Sequence, residues 1–154
     1  MLDAKKIIYS IGHSTHPIDD FIQLLFAYQI ELVADVRRFP SSKKNPQFQL
    51  DQLKSKLTLS GIDYRWLGEG LGGFRTGGYP LYMQSEPFLH GIEQLIAIAQ
   101  TKRTSIMCAE KLFFRCHRRF IADHLTQLGW HVVHILDETH TYPHQSSDPL
   151  PLQI

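Results

Sequence analysis

Cysteine is scarce in this chain: Cys108 and Cys116 are the only two among 154 residues. That excludes a small fold stapled by disulfides and fits a reducing compartment, so any role of the two thiols is chemical. Long apolar runs are missing as well. Lys5 and Lys6 precede Ile7-Ile8-Tyr9, but Ser10, Gly12, His13 and Ser14 end the run too early for a signal peptide or a membrane span. The expected location is therefore cytoplasmic, with no membrane partner. Neither sign of charge dominates, with 16 Lys and Arg against 15 Asp and Glu, and 43% hydrophobic with 20% charged residues is far from the composition of a disordered chain. A domain of this length buries roughly two-thirds of the surface its unfolded chain exposes.

What is present is locally uneven. Arg37, Arg38, Lys43 and Lys44 form one basic run and Arg115, Arg118 and Arg119 another, while Asp137, Glu138 and Asp148 lie toward the C-terminus. The two basic runs can converge in space or remain separate solvated faces.

Short β-rich runs alternate with helical ones, the signature of βαβ units. Strands are expected at 7–11, 31–36, 64–67, 105–108 and 131–136. Helices are expected after Thr15 and Pro17, with Phe21, Leu24, Leu25 and Tyr28 inward; after Asn45-Pro46, with Leu50, Leu53 and Leu57; after Ser85-Glu86-Pro87, with Phe88, Ile92, Leu95, Ile96 and Ala99; and from about 118 to Gly129, with Phe120, Ile121, His124, Leu125 and Leu128. Six of the ten glycines crowd into 68–78, which reads as a loop. The fold class is α/β: a three-layer, mainly parallel sheet of about five strands with helices on both faces. It forms a single domain over 1–138 with an irregular tail over 139–154. Strand one is expected near the centre, with strands two and three to one side and the later strands to the other. Ligands in such sheets bind beyond the strand carboxyl ends, where the order reverses.

Polar residues gather at those ends. His13 and Ser14 follow the first strand, Asp35 and Arg37 the second, Cys108 and Glu110 the fourth. Each alone is commonly a cap or the start of a loop; several on one rim suggest a site. The densest chemistry is Cys108-Ala-Glu-Lys-Leu-Phe-Phe-Arg-Cys-His-Arg-Arg119. Cys116, His117 and Arg118 fall at a helix start, where free N–H groups and the macrodipole favour anions and a thiol becomes partly thiolate. The competing reading makes Cys116 a small buried hydrophobe. Arg118 and Arg119 can clamp a phosphate or carboxylate, one of them facing solvent instead. Glu110 can orient an arginine, act as a base, or pair structurally. Cys108, Cys116, His117, His13 and Glu110 are possible metal ligands, but seven residues separate the cysteines, unlike the short spacing of zinc sites, and no metal is expected. His131 and His134 read as core or surface residues. Gly68, Gly70 and Gly73 match G-x-G-x-x-G formally, but no helix is expected to open from them; they read as a flap carrying Arg75 as a ligand contact, or as a plain surface loop.

Several of these fragments together resemble the uncharacterised bacterial family called domain of unknown function 488. They are Ile11-Gly12-His13-Ser14, Asp35-Val36-Arg37 with Pro40-Ser41 and Asn45-Pro46, Leu71-Gly72-Gly73, and Met107-Cys108-Ala109-Glu110 followed by Cys116-His117-Arg118. They span about Ile7 to Asp137. The resemblance supports a site and implies no reaction.

Two classes of function fit. One is an enzyme that holds a small anionic or nucleotide-like ligand with Arg37, Arg118 and the helix N-terminus, assisted by Ser14, Asp35, His117 and Arg75. In it Cys116, Glu110, His13 or Cys108 performs acid, base or nucleophilic work. The other is a non-catalytic nucleic-acid or protein binding module using the basic loop from Arg37 to Lys44, with Phe39 and Phe48 to stack or pack. A metal-binding protein using Cys108, Cys116 and His117 is a further alternative. The sequence names no cofactor and no oligomeric state.

Overall fold

The apolar runs of the sequence pair into one sheet, seen here in a computed structural model that describes residues 6–146. Five strands are parallel: β1 (Ile7–Gly12), β2 (Leu32–Asp35), β3 (Asp63–Trp66), β4 (Thr104–Cys108) and β5 (His131–Ile135). A short β6 (Thr141–Pro143) runs antiparallel to β5 at one edge, within the stretch expected to be irregular. Its pairing positions His144, whose N–H donates to the Val132 carbonyl at 2.8 Å. Residues 147–154 of the expected tail lie outside the described residues.

Alternation along the strands sends side chains to two cores. Ile8, Ala34, Ile106 and Val132 face α5 (Glu86–Ala99) and α6 (Arg118–Gln127) through Phe88, Leu95, Ile121 and Leu125. Tyr9, Ile11, Val33 and Met107 face α1 (Ile18–Ala27) and α2 (Leu50–Leu59) through Phe21, Leu25, Leu53 and Leu57. This is the expected three-layer α/β architecture. The helix starts follow local chemistry only in part. Ser85 caps α5 by accepting from the Phe88 N–H, whereas Pro46–Phe48 forms a separate 3₁₀ turn, because Gln49 is extended at ψ 139° and α2 begins after it. The glycine-rich stretch 68–78 is not all loop as expected: a one-turn helix, α3 (Gly68–Leu71), opens from its first glycine, and another, α4 (Tyr79–Tyr82), follows its last.

The strand order is β3-β2-β4-β1-β5-β6, which corrects the expected one: β4 lies between β1 and β2 rather than beyond β1. All five residues of β4 are buried, which requires cover on both faces and a partner on both edges. The α1 and α2 helices that follow its neighbours pack on one face and its own helix α6 on the other. The backbone therefore parts at the carboxyl end of β4, and a crevice opens beside Cys108.

The pairing of β1 with β4 continues past both strands, with His13 N–H donating to the Cys108 carbonyl at 2.8 Å and Ser14 N–H to the Ala109 carbonyl at 3.0 Å. Close approach here requires glycine, since a Cβ on Gly12 would lie 1.9 Å from the Glu110 carbonyl oxygen. Gly12→Ala is expected to lose roughly 1–3 kcal/mol of stability in urea unfolding, the usual range for forced overpacking. Because the loop after Cys108 must shift to admit the methyl group, the same variant should also show altered thiol reactivity in labelling with iodoacetamide.

Candidate functional site

Two buried guanidinium groups brace the crevice from below. Arg37, 5% exposed, follows β2 and turns back onto Asp35, donating through Nε at 2.9 Å and Nη2 at 2.7 Å to the two carboxylate oxygens. Its Nη1 donates to the Phe48 carbonyl at 2.7 Å and meets His13 Nε2 at 3.4 Å. Asp35, fully buried, also accepts from the Tyr64 hydroxyl at 2.5 Å. Burial, followed by the Asp35 charge, raises the Tyr64 pKa. His13 donates from Nδ1 to the Ser14 carbonyl at 2.9 Å, which leaves Nε2 as the acceptor facing Arg37. Its ring is stacked on Phe48 at 4.1 Å, and burial lowers its pKa to about 4. Of the two roles open to Phe48, stacking on a ligand or packing, the structure gives it packing: it is a core residue.

Arg118, 1% exposed, is the second brace. It donates from Nε to Cys108 Sγ at 3.0 Å, from Nη1 to Ser10 Oγ at 2.6 Å, and from Nη2 to the Glu110 and Lys111 carbonyls at 2.5 and 3.3 Å. Arg37 and Arg118 were expected to hold an anion directly. Arg37 does border the cavity described next, but most donors of both are bonded within the protein, and these bonds position the walls of the crevice.

Above these braces lies a cavity of about 380 Å³, lined by residues that include Arg38, Phe39, Phe74, Cys108, Glu110, Arg115, Cys116 and His117. The two sulfurs adjoin at 2.6 Å, and both cysteines are free thiols. Cys116 Sγ accepts the Arg118 backbone N–H at 3.4 Å, where α6 begins, and lies 3.5 Å from His117 Nδ1. His117 donates from Nε2 to the Val36 carbonyl at 2.8 Å, so its Nδ1 presents a lone pair to the thiol. A hydrogen bond from Cys108 holds the Cys116 thiol well below the ordinary cysteine range; His117 and Arg118 add to this effect and burial opposes it. Burial pushes Cys108 the other way. The imidazole sits close under Gly73, where a Cβ would lie 3.2 Å from Nδ1.

Glu110 is exposed and borders both this cavity and an adjoining one of about 470 Å³ lined by His13, Ser14, Lys43, Lys44, Asn45 and Lys111, among others. Arg75 belongs to neither. It donates to the Gly72, Gly68 and Glu69 carbonyls and lies 4.1 Å over the Tyr82 ring, tying the glycine-rich segment together away from the crevice. Among the described residues, no group of three or more His, Cys, Asp or Glu side chains is arranged to hold a metal ion, and no helix is long and apolar enough to cross a membrane.

The sequence pattern gave no signal for the groups behind Arg118. Ser10 Oγ bonds His134 Nδ1 at 2.8 Å, His134 Nε2 bonds His144 Nδ1 at 2.8 Å, and His144 Nε2 bonds Asp123 Oδ1 at 2.7 Å. Asp123 Oδ1 accepts from His144 Nε2, and the bonds form one continuous path from Arg118 to that carboxylate. Burial lowers the His134 pKa to about 3, which keeps that ring neutral. Alternation along β5 could have flagged His134 as inward-facing; its partners come from β1 and from the end of β6.

Comparison with known proteins adds one finding: a family model described as domain of unknown function DUF488 matches residues 17–125. No curated protein and no solved structure matches the chain.

Two measurements follow from this geometry. Mild oxidation with diamide should join Cys108 to Cys116 within one chain, seen as the loss of a pair of hydrogens in intact mass and reversed by dithiothreitol; persistence of two alkylatable thiols would contradict their adjacency. Separately, His13 and His134 titrate below their ordinary 6.5 in the folded state, so their contribution to stability is complete above that value and is lost as pH falls from there toward 4 and 3. By pH 4 the loss should be on the order of 3 kcal/mol for each histidine. A urea series from pH 7 to pH 4 should therefore fall less steeply for His134→Gln than for the parent protein.

Proposed function

The chain belongs to the DUF488 family, whose description assigns no activity, and from the cavity itself we propose an enzyme that uses the Cys116 thiolate on a small anionic or nucleotide-like substrate. The observation that carries this reading is the alignment of Cys116 Sγ, His117 Nδ1 and the Val36 carbonyl at the wall of a cavity that also presents arginines. A nucleophile, a base within hydrogen-bond reach and a group that orients the base are the parts an activated thiol requires.

Their roles follow from their positions. His117 Nδ1 accepts the thiol proton while its other nitrogen stays fixed on Val36. The Arg118 N–H at the start of α6 stabilises the resulting thiolate, which adds to an electrophilic centre of the substrate. Arg38 and Arg115 line the same cavity and supply the cations that Arg37 and Arg118 cannot, and a guanidinium recognises phosphate or carboxylate with paired hydrogen bonds. Glu110, exposed at the rim, is placed to exchange a proton with a leaving group.

Iodoacetamide labelling across a pH series tests this. Cys116 should react before Cys108 and with an apparent pKa below that of free cysteine, and phosphate or sulfate should slow its labelling. His117→Ala should raise the apparent pKa by at least one unit, read as a displacement of the whole rate–pH curve toward higher pH. Arg115→Ala should weaken the protection by anions while leaving the unprotected rate nearly unchanged. A Cys116 that is inert at neutral pH in the native protein would make it a packing residue and end the proposal.

A further inference from the structure

The mouth of the cavity carries two features that a simple anion site has no use for. Phe39 is 63% exposed and Phe74 is 84% exposed, their rings 6.3 Å apart at the rim of the same cavity. Phe74 also holds φ at 60°, in the left-handed region that a bulky residue seldom occupies. Arg38 Nη1 fixes this turn by donating to the Phe74 carbonyl at 2.6 Å. An apolar ring is thus held in water by a backbone conformation that is itself unfavourable. Such local strain persists where the surroundings enforce it and concentrates at ligand clamps. Beyond the rim, the adjoining cavity adds Lys43, Lys44 and Lys111 with the hydroxyls of Ser14, Thr15 and Ser42.

Charges across the pair of cavities are lopsided. Arg38, Arg115, Lys43, Lys44 and Lys111 face a single carboxylate, Glu110, and among the described residues none of the five is in an ion pair. The cavities meet at Ala109 and Glu110, which border both. A ligand that fills them needs flat, uncharged rings joined by anionic links, repeated over more than one unit. We propose that this double cleft binds single-stranded nucleic acid, with a base stacked on Phe74 and Phe39, its phosphate at Arg38 and Arg115, and neighbouring phosphates along Lys43, Lys44 and Lys111. Exposed aromatics beside a basic track are how sequence-tolerant single-strand sites are built. A duplex keeps its bases stacked inside and cannot offer one to the rim. The proposal deepens the functional reading by naming the substrate class, and rests on it only in taking the cleft as a ligand site.

The test is fluorescence anisotropy with a short labelled oligothymidylate, run beside the same strand in duplex form and beside thymidine monophosphate as competitor. The single strand should bind with an affinity that falls steeply with salt, and more tightly than the duplex. Phe74→Ala, at an exposed position where the fold does not depend on the ring, should weaken it roughly tenfold, as loss of one stacked base does. Lys43→Ala with Lys44→Ala should reduce the salt slope by about one to two. Bound strand should also slow iodoacetamide labelling of Cys116. Competition by the monophosphate as effective as by the strand would assign the site to a free nucleotide and overturn the proposal, as would a Phe74→Ala variant of unchanged affinity or a strand that binds without slowing the labelling of a Cys116 that reacts in its absence. The two readings fail separately: a strand bound over an unreactive Cys116 removes the thiol enzyme and keeps the nucleic-acid site, and a reactive, phosphate-protected Cys116 with no strand binding does the reverse.

Discussion

Arg118 brings a permanent positive charge into the interior with no carboxylate to meet it. Among the described residues it is in no ion pair, and its partners are two carbonyls, the Ser10 hydroxyl and the Cys108 sulfur. An isolated buried charge is costly unless hydrogen bonds and nearby opposite charge offset it. The pair of sulfurs beside it can supply that charge, because one proton shared between Cys108 and Cys116 leaves one of them as thiolate. The arginine thus favours the ionised thiol, and the thiolate stabilises the arginine. The same guanidinium fixes the Glu110 and Lys111 carbonyls, and with them the loop that forms the floor between the two cavities.

Arg37 solves the same problem differently. Asp35 takes it with a bidentate pair, and Tyr64 fills a remaining acceptor position, so this brace is neutral as a unit and has no charge left to offer a ligand. On the Arg118 side the polarisation runs outward instead, through Ser10, His134 and His144 to Asp123, which is partly exposed on α6. One hydroxyl and two imidazoles connect an interior cation to a carboxylate near the surface. His144 follows β6 directly, so the far end of this connection depends on the pairing of β6 with β5.

Much of the candidate site was legible as composition. His13, Asp35, Arg37, Cys108, Glu110, Cys116, His117 and Arg118 do gather at the strand carboxyl ends, because the end of each parallel strand is where polar residues must leave the core. Their roles were less legible. A buried guanidinium and one facing a ligand look alike in a sequence, and only the positions of Asp35 and of the Cys108 sulfur distinguish Arg37 and Arg118 from Arg38 and Arg115. The two phenylalanines able to stack or pack divide for a similar reason: Phe48 packs under His13, while Phe39 stays at the rim, where Phe74 is lifted outward by its left-handed turn.

Alternation and helical spacing determined the elements and their two-faced packing, since each is a local pattern of apolar side chains over fewer than about twenty residues. The strand ends, and therefore the rim on which polar residues collect, came with them. The insertion of β4 between β1 and β2 depended on the tertiary structure, because burial along a strand demands neighbours without specifying which. That one placement sets Cys108 against Gly12 and brings Ser10 within reach of Arg118. It also makes His134 and His144, separated from Ser10 by more than a hundred residues, part of the same hydrogen-bonded unit. Contacts of that kind have no sequence period, so the residues and the rim could be read from the chain, while the charge and reach of each side chain were decided only when the sheet closed around β4.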